Sequence, residues 1–185
     1  MDELIDDFLG YLRHERGQSE NTQRTYKYLL DQFVRWAGEN GLREWKDVEL
    51  KHLTQFVQAE RQRPPLRPDA PEGAKLSGES IYLSIAALRA LFRFAEAEKL
   101  LPVNLAENLS LPRRWQRLPK SLSAVEIERL LRPVSPATAE SICDQAILEL
   151  AYAAGLRLSE LKNLRLEQLQ LEAGFITVIG KGNKE

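Results

Sequence analysis

Little in this chain is suited to metal or redox chemistry. Cys143 is its one cysteine, so no internal disulfide can form and no thiolate cluster can hold zinc. The neighbours Ile142, Ala146 and Ile147 point to a buried structural thiol. Histidine is nearly as scarce, with only His14 and His52. No apolar run approaches the roughly 18 residues that a membrane span needs. The opening Met1-Asp2-Glu3-Leu4 has neither the basic region nor the apolar stretch of a secretory signal. These absences point to a cytoplasmic protein with no metal, no other cofactor and no membrane partner.

An excess of positive charge is also missing. The 26 basic and 27 acidic residues sum to −1, whereas a nucleic-acid-binding protein commonly carries a basic excess. Distribution says more than the total. Arg113, Arg114, Arg117 and Lys120 fall in a stretch without acid, Arg61, Arg63 and Arg67 form a second basic cluster, and Asp2, Glu3, Asp6 and Asp7 place acid elsewhere. That segregation favours a nucleic-acid partner. With 43% hydrophobic and 29% charged residues, the chain has the composition of a folded globular protein.

Four helices are expected in the first hundred residues. Leu4, Ile5, Phe8, Leu9 and Leu12 form one apolar stripe that ends near Gly17. Ser19 or Asn21 can cap a second helix, whose stripe runs Tyr26, Leu29, Leu30, Phe33, Val34 and Ala37 and stops at Gly41. A third helix is expected over about 49–63, with Leu53, Phe56 and Val57 inward. Pro64-Pro65 stops it, and the Pro- and Gly-rich stretch that follows reads as an exposed loop. The fourth, over about 79–100, aligns Ile81, Ile85, Leu88, Leu91, Phe92 and Ala95. Four such helices suffice for a small bundle.

Residues 102–120 carry Pro102, Pro112 and Pro119 around the basic cluster and read as a linker. Ser123-x-x-Glu126 has capping-box spacing and opens a further helix. Another follows over about 138–154, with a short one after Gly155. Two apolar segments, 166–171 and 175–179, flank Glu172-Ala173-Gly174 and suggest a β-hairpin. The expected division is therefore a helical domain over 1–101, a basic linker over 102–120, and an α+β segment over 121–185.

Two short segments concentrate the chemistry. They are Ala153-Ala154-Gly155-Leu156-Arg157-Leu158-Ser159-Glu160-Leu161 and Val178-Ile179-Gly180-Lys181-Gly182-Asn183-Lys184. An arginine after a glycine at a helix start is placed to grip a phosphate through parallel hydrogen bonds. A lysine between two glycines allows close approach of an anion. In this order the segments resemble the motifs of tyrosine site-specific recombinases, the phage integrase family, and of its bacterial Xer subgroup in particular. Leu118-Pro119-Lys120-Ser121-Leu122-Ser123 resembles the opening of the Xer catalytic domain. Ser19-x-Asn21-Thr22, with Tyr26, Phe33 and Trp36, resembles the family's N-terminal core-binding domain.

The resemblance implies a mainly α fold: a four-helix, SAM-like core-binding bundle, then the α+β beginning of a catalytic domain with its hairpin. It implies that Arg157 binds the scissile phosphate and that Lys181 helps protonate the leaving 5′ hydroxyl. It gives Glu160 a supporting place beside Arg157, although an ordinary ion pair within the helix fits the same spacing. Double-stranded DNA is the implied partner, with four like or unlike protomers acting together. Thr22, Arg24, Thr25 and Lys27 on the second helix, and Arg89 and Arg93 on the fourth, are candidate DNA contacts or simply solvated faces. Arg113, Arg114, Arg117 and Lys120 are firmer candidates, since a clamp passes its linker along the duplex. Trp115 is either a packing anchor or a backbone contact.

The family also requires an H-x-x-R motif and a tyrosine nucleophile. Neither is here: Gly17 and Gln55 stand three residues after the two histidines, and no tyrosine follows Tyr152. The chain is therefore expected to be a fragment that holds DNA without cutting it, because covalent catalysis needs the nucleophile. A recombinase-derived accessory module without catalysis is the alternative. A helical protein–protein adaptor is a third reading, which salt-sensitive DNA binding would exclude.

Overall fold

Where apolar residues recur with a helical period, the computed structural model has helices. It describes residues 1–112, 121–133 and 138–178. The chain forms two units, Met1–Gln116 and Arg117–Glu185.

The first unit contains α1 (Asp2–His14), α2 (Glu20–Glu39), α3 (Leu50–Gln62) and α4 (Gly78–Ala97). In α1, Asp2 and Glu3 open the helix and Arg13 and His14 close it, a charge order that complements the helix dipole. Of the two candidate caps of α2, Ser19 takes the role: its Oγ accepts the Thr22 N–H at 3.3 Å. Ser77 caps α4 in the same way, accepting the Ser80 N–H at 3.1 Å.

Helix α4 is the centre of the bundle, packing against α1, α2 and α3. Ile85, Leu91, Phe92 and Ala95 are wholly buried. Aromatic rings knit the remaining helices to it. Phe33 stacks on Trp45 at 5.3 Å between centroids and meets Phe56 edge-on at 5.2 Å. Trp45 in turn meets Phe92 edge-on, and Phe8 lies 5.6 Å from both Tyr26 and Phe94. Burying each such side chain stabilises the fold by roughly 1.5–3 kcal/mol.

The 3₁₀ turn Trp45–Asp47 had no signature in the sequence. It exists because the Trp45 ring is buried and its indole Nε1 donates to the Met1 carbonyl at 2.8 Å. Between α3 and α4 the Pro/Gly-rich segment is tied at its base. The Leu76 N–H donates to the Arg63 carbonyl, and the Arg63 guanidinium is held in a fork by the buried carboxylate of Glu60 at 2.6 and 2.9 Å.

The chain leaves α4 through Lys99, whose φ of 60° is unusual for a residue with a side chain. The N–H groups of Leu100 and Leu101 then both donate to the Ala95 carbonyl. A second 3₁₀ turn, Leu105–Asn108, runs back along α4. Here the structure departs from the linker expected from residue 102. Leu101, Ala106 and Leu109 are buried in the same core as the four helices. Pro102 lies beyond the end of α4, and the chain after it keeps packing on the bundle through Ala106 and Leu109.

The second unit contains α5 (Ala124–Leu130), α6 (Ala139–Ala154), α7 (Leu158–Lys162), a 3₁₀ turn at Leu166–Gln168, and strands β1 (Leu169–Gln170) and β2 (Phe175–Ile176). The capping box of α5 forms, with the Ser123 N–H donating to Glu126 at 2.8 Å and the Glu126 N–H to Ser123 Oγ at 3.4 Å. The hairpin is antiparallel, pairing Leu169 with Ile176 and Gln170 with Phe175. It begins later than expected because the Gln168 side chain accepts the Arg165 N–H at 2.8 Å, curling residues 166–168 into the turn.

No described residue of this unit is buried. Ile142 and Tyr152 on α6 are about as open as charged residues usually are, at 60% and 62% exposure. Cys143 is exposed as well, which corrects the expectation of a buried thiol. Its apolar neighbours are themselves uncovered, so they cannot shield it. Among the described residues no helix is long and apolar enough to cross a membrane.

The two units should therefore answer differently to truncation. Phe33→Ala is expected to lower the stability of the first unit by about 3–5 kcal/mol, read by urea unfolding followed through tryptophan fluorescence. Ile147→Ala, on a side chain 42% exposed, should leave that transition within roughly 0.5 kcal/mol of its original value.

Candidate nucleic-acid interface

The polar start of α2 presents its side chains in local pairs. Thr22 Oγ1 lies 2.9 Å from Ser19 Oγ, and the Thr25 hydroxyl donates to the Asn21 carbonyl at 2.9 Å. Arg24 pairs with Glu20 at 3.3 Å and Lys27 with Asp31 at 3.1 Å, each one turn apart and open to solvent. Exposed pairs of this kind are weak and readily exchange partners with a phosphate. The face is thus basic in residue type but locally neutralised by Glu20 and Asp31.

Arg89 and Arg93 share a stripe of α4 and have different surroundings. Arg93 is exposed and has no hydrogen-bond or ion-pair partner among the described residues, which makes it the readiest cation of that helix. Arg89 is half-buried. Its Nε donates to the Ala106 carbonyl at 3.2 Å, and its Nη2 donates to those of Glu107 and Leu109 at 2.8 and 2.7 Å. Of the second basic cluster, Arg63 is committed to Glu60, Arg67 lies 3.9 Å from Asp69, and Arg61 stands exposed.

In the second unit, α6 ends at Gly155, whose φ of +60° is the left-handed conformation that a glycine enters without strain. That turn sets Arg157 at the head of α7. Glu160 holds Arg157 twice: its Oε2 accepts the Arg157 N–H at 2.7 Å, and its Oε1 accepts from Nη1 at 2.6 Å. The Arg157 side chain remains 67% exposed while that of Glu160 keeps only 9% of its surface. The carboxylate therefore orients a guanidinium whose other edge faces outward. Asn163 closes the short helix, donating from Nδ2 to the Ser159 carbonyl at 2.8 Å.

Lys181, Arg113, Arg114, Arg117 and Lys120 lie outside the described residues, as does Trp115. The structure brings Arg157 and Glu160 together. Sequence reasoning missed Glu96, whose Oε1 accepts the N–H of the buried Asn104 at 3.1 Å. Its spacing of seven from Arg89, two helical turns on one face, is the signal that was available.

Comparison with known proteins decides the family. Residues 5–99 match the model of the phage integrase N-terminal SAM-like domain, and residues 120–185 match the phage integrase family model. The chain belongs to the tyrosine recombinase, or phage integrase, family. Within it, the recombinase chain is 38% identical over 181 residues to tyrosine recombinase XerC of Vibrio vulnificus, covering 98% of itself and 54% of that protein. It is 35% identical over 186 residues to tyrosine recombinase XerD of Listeria monocytogenes, covering 100% and 59%. The recombinase chain thus spans a little over half the length of these curated relatives. In fold it is similar to a lambda integrase dimer bound to a COC′ core site, with a TM-score of 0.65 at 19% identity, covering 98% of this chain and 46% of that one. These matches assign the two parts of the recombinase chain to the core-binding domain and the beginning of the catalytic domain.

The Arg157 N–H, first, and its guanidinium, second, hold the Glu160 carboxyl below the ordinary carboxylate range. A group depressed on folding contributes stability above its unfolded pKa and loses it as pH falls through its folded pKa. The α7 turn should accordingly be constant from neutral pH down to the ordinary glutamate range and loosen only below it. Side-chain NMR titration should find Glu160 protonating below the ordinary glutamate range. Protonation at the ordinary value would mean that the pair does not persist in solution.

Proposed function

We propose that this chain is the DNA-gripping part of a cytoplasmic site-specific recombinase. The single observation that carries the reading is the Arg157–Glu160 pair, an exposed guanidinium fixed at its root within the family's arginine motif. A guanidinium so held meets a phosphate without first losing rotamer freedom, and it stabilises charge on the non-bridging oxygens as the phosphorus is attacked. Lys181 would supply the proton to the departing 5′ hydroxyl.

In the longer protein the reaction would be cleavage and rejoining of strands through a 3′-phosphotyrosyl intermediate, with neither metal nor nucleotide. The phosphodiester energy passes to the tyrosyl ester and back, so no external energy source is needed. Four protomers, identical or of two kinds, would bring two DNA sites together. The core-binding domain and the beginning of the catalytic domain would both engage the duplex, and the basic residues Arg113, Arg114, Arg117 and Lys120 would contact its phosphates. The α2 residues Thr22, Arg24, Thr25 and Lys27, with Arg93 of α4, would contact DNA from the core-binding domain.

The 185-residue chain itself would bind duplex DNA and leave it intact, because it contains no tyrosine after Tyr152 to act as nucleophile. Gel-shift titration should show binding that weakens steeply between low and physiological salt. Arg93→Ala should reduce the slope of log affinity against log salt by about one. A nicked suicide substrate should yield no covalent adduct with this chain and a clear one with a version extended to the length of its relatives. Binding indifferent to salt would instead favour an adaptor. An extended protein that binds DNA and never forms the adduct would favour an accessory module.

A further inference from the structure

Both ends of the 3₁₀ turn Leu105–Asn108 are held by one face of α4. At the leading end, Glu96 accepts the Asn104 N–H at 3.1 Å. At the trailing end, Arg89 collects the carbonyls of Ala106, Glu107 and Leu109 at 2.7–3.2 Å. The Ala106 carbonyl also accepts the Leu109 N–H at 3.1 Å, whereas those of Glu107 and Leu109 lie past the end of the turn's own hydrogen bonds and depend on Arg89. The signs are also ordered, with an anion at the N-terminal end and a cation at the C-terminal end, as the turn's dipole favours.

The position of this clamp matters more than its strength. Among the described residues Leu109 is the last buried one of the first unit, and Ser110 after it is exposed. The basic stretch that joins the two units starts four residues beyond Leu109, at Arg113. A guanidinium bound to three carbonyls of this one turn and its cap fixes where the chain leaves the bundle at Ser110. We infer that Arg89 is a positioning residue: it sets the exit of the basic interdomain segment and thereby its approach to DNA, rather than contacting DNA itself. The inference rests on the DNA-binding reading proposed above.

A lysine at position 89 keeps the charge and loses the planar fork, since one ammonium cannot reproduce donation from both Nε and Nη2 to three fixed carbonyls. If Arg89 positions, Arg89→Lys and Arg89→Met behave alike. Each loosens the chain exit at Ser110 before binding, and its ordering is then charged against affinity, a loss of roughly tenfold for each residue released. The contacts in the final complex are unchanged, so the salt slope stays at its wild-type value. If Arg89 were a phosphate contact, Arg89→Lys would bind almost as wild type and Arg89→Met would lower the slope by about one.

The test is DNA affinity of the 185-residue chain and its variants at several salt concentrations, with trypsin cleavage at Arg113 and Arg114 followed in parallel. Faster cleavage in both Arg89 variants, equal affinity loss and an unchanged slope are the expected results. A third variant, with Gly-Ser-Gly inserted between Ser110 and Leu111, leaves Arg89 and its carbonyls in place and should show the same loss of affinity. It decides the matter if the Arg89 variants prove poorly folded by circular dichroism. Wild-type affinity in the insertion variant, a near-wild-type Arg89→Lys, or a reduced slope in Arg89→Met would each overturn the inference while leaving the proposed function standing. A wild-type chain that does not bind DNA would overturn both.

Discussion

Burial of α4 is the constraint on which the first unit depends. Its Ile85, Leu91, Phe92 and Ala95 lie at the centre of the bundle, and α1, α2, α3 and the Leu105–Asn108 turn all pack on it. A helix covered on so many sides leaves only a narrow polar stripe, so the side chains on that stripe divide into two groups. Arg89 and Glu96 are drawn into holding the returning backbone. Arg93 is left to solvent, and with it whatever approaches from solvent. The same packing that makes the bundle stable thus decides which of its cations are available.

The second unit shows the opposite condition. Its helices are locally well specified, by the Ser123–Glu126 box, by Thr138 and by the Arg157–Glu160 pair. Its apolar side chains nevertheless stay open, Leu158, Leu166 and Leu171 among the most exposed. Local hydrogen bonds can fix the geometry of Arg157 over one turn without a core beneath it. They hold the arginine relative to its own helix.

Much of the fold was legible because amphipathic helices announce their buried face by period. Phe33, Ala37, Leu53, Phe56, Ile85 and Leu88 are each buried as their spacing required. The Arg157–Glu160 relation was equally legible, since a separation of three places both residues on one face. What could not be read depends on partners distant in sequence. Turns of three or four residues are too short to have a period, and the one containing Trp45 forms through a hydrogen bond to Met1, 44 residues away. Arg89 looked like any helical arginine because the carbonyls it binds lie 17–20 residues downstream. Cys143 was misjudged from apolar neighbours that are themselves exposed.

The central claim is that the chain holds duplex DNA along the polar faces of α2 and α4. Mapping amide NMR shifts of the 185-residue chain on addition of duplex DNA tests it most directly. The account predicts that the largest changes fall at residues 21–28, around Arg93 and around Arg157, with the exposed face of α3 little affected. Shifts confined to α3, or a spectrum unchanged by excess duplex at low salt, would contradict it.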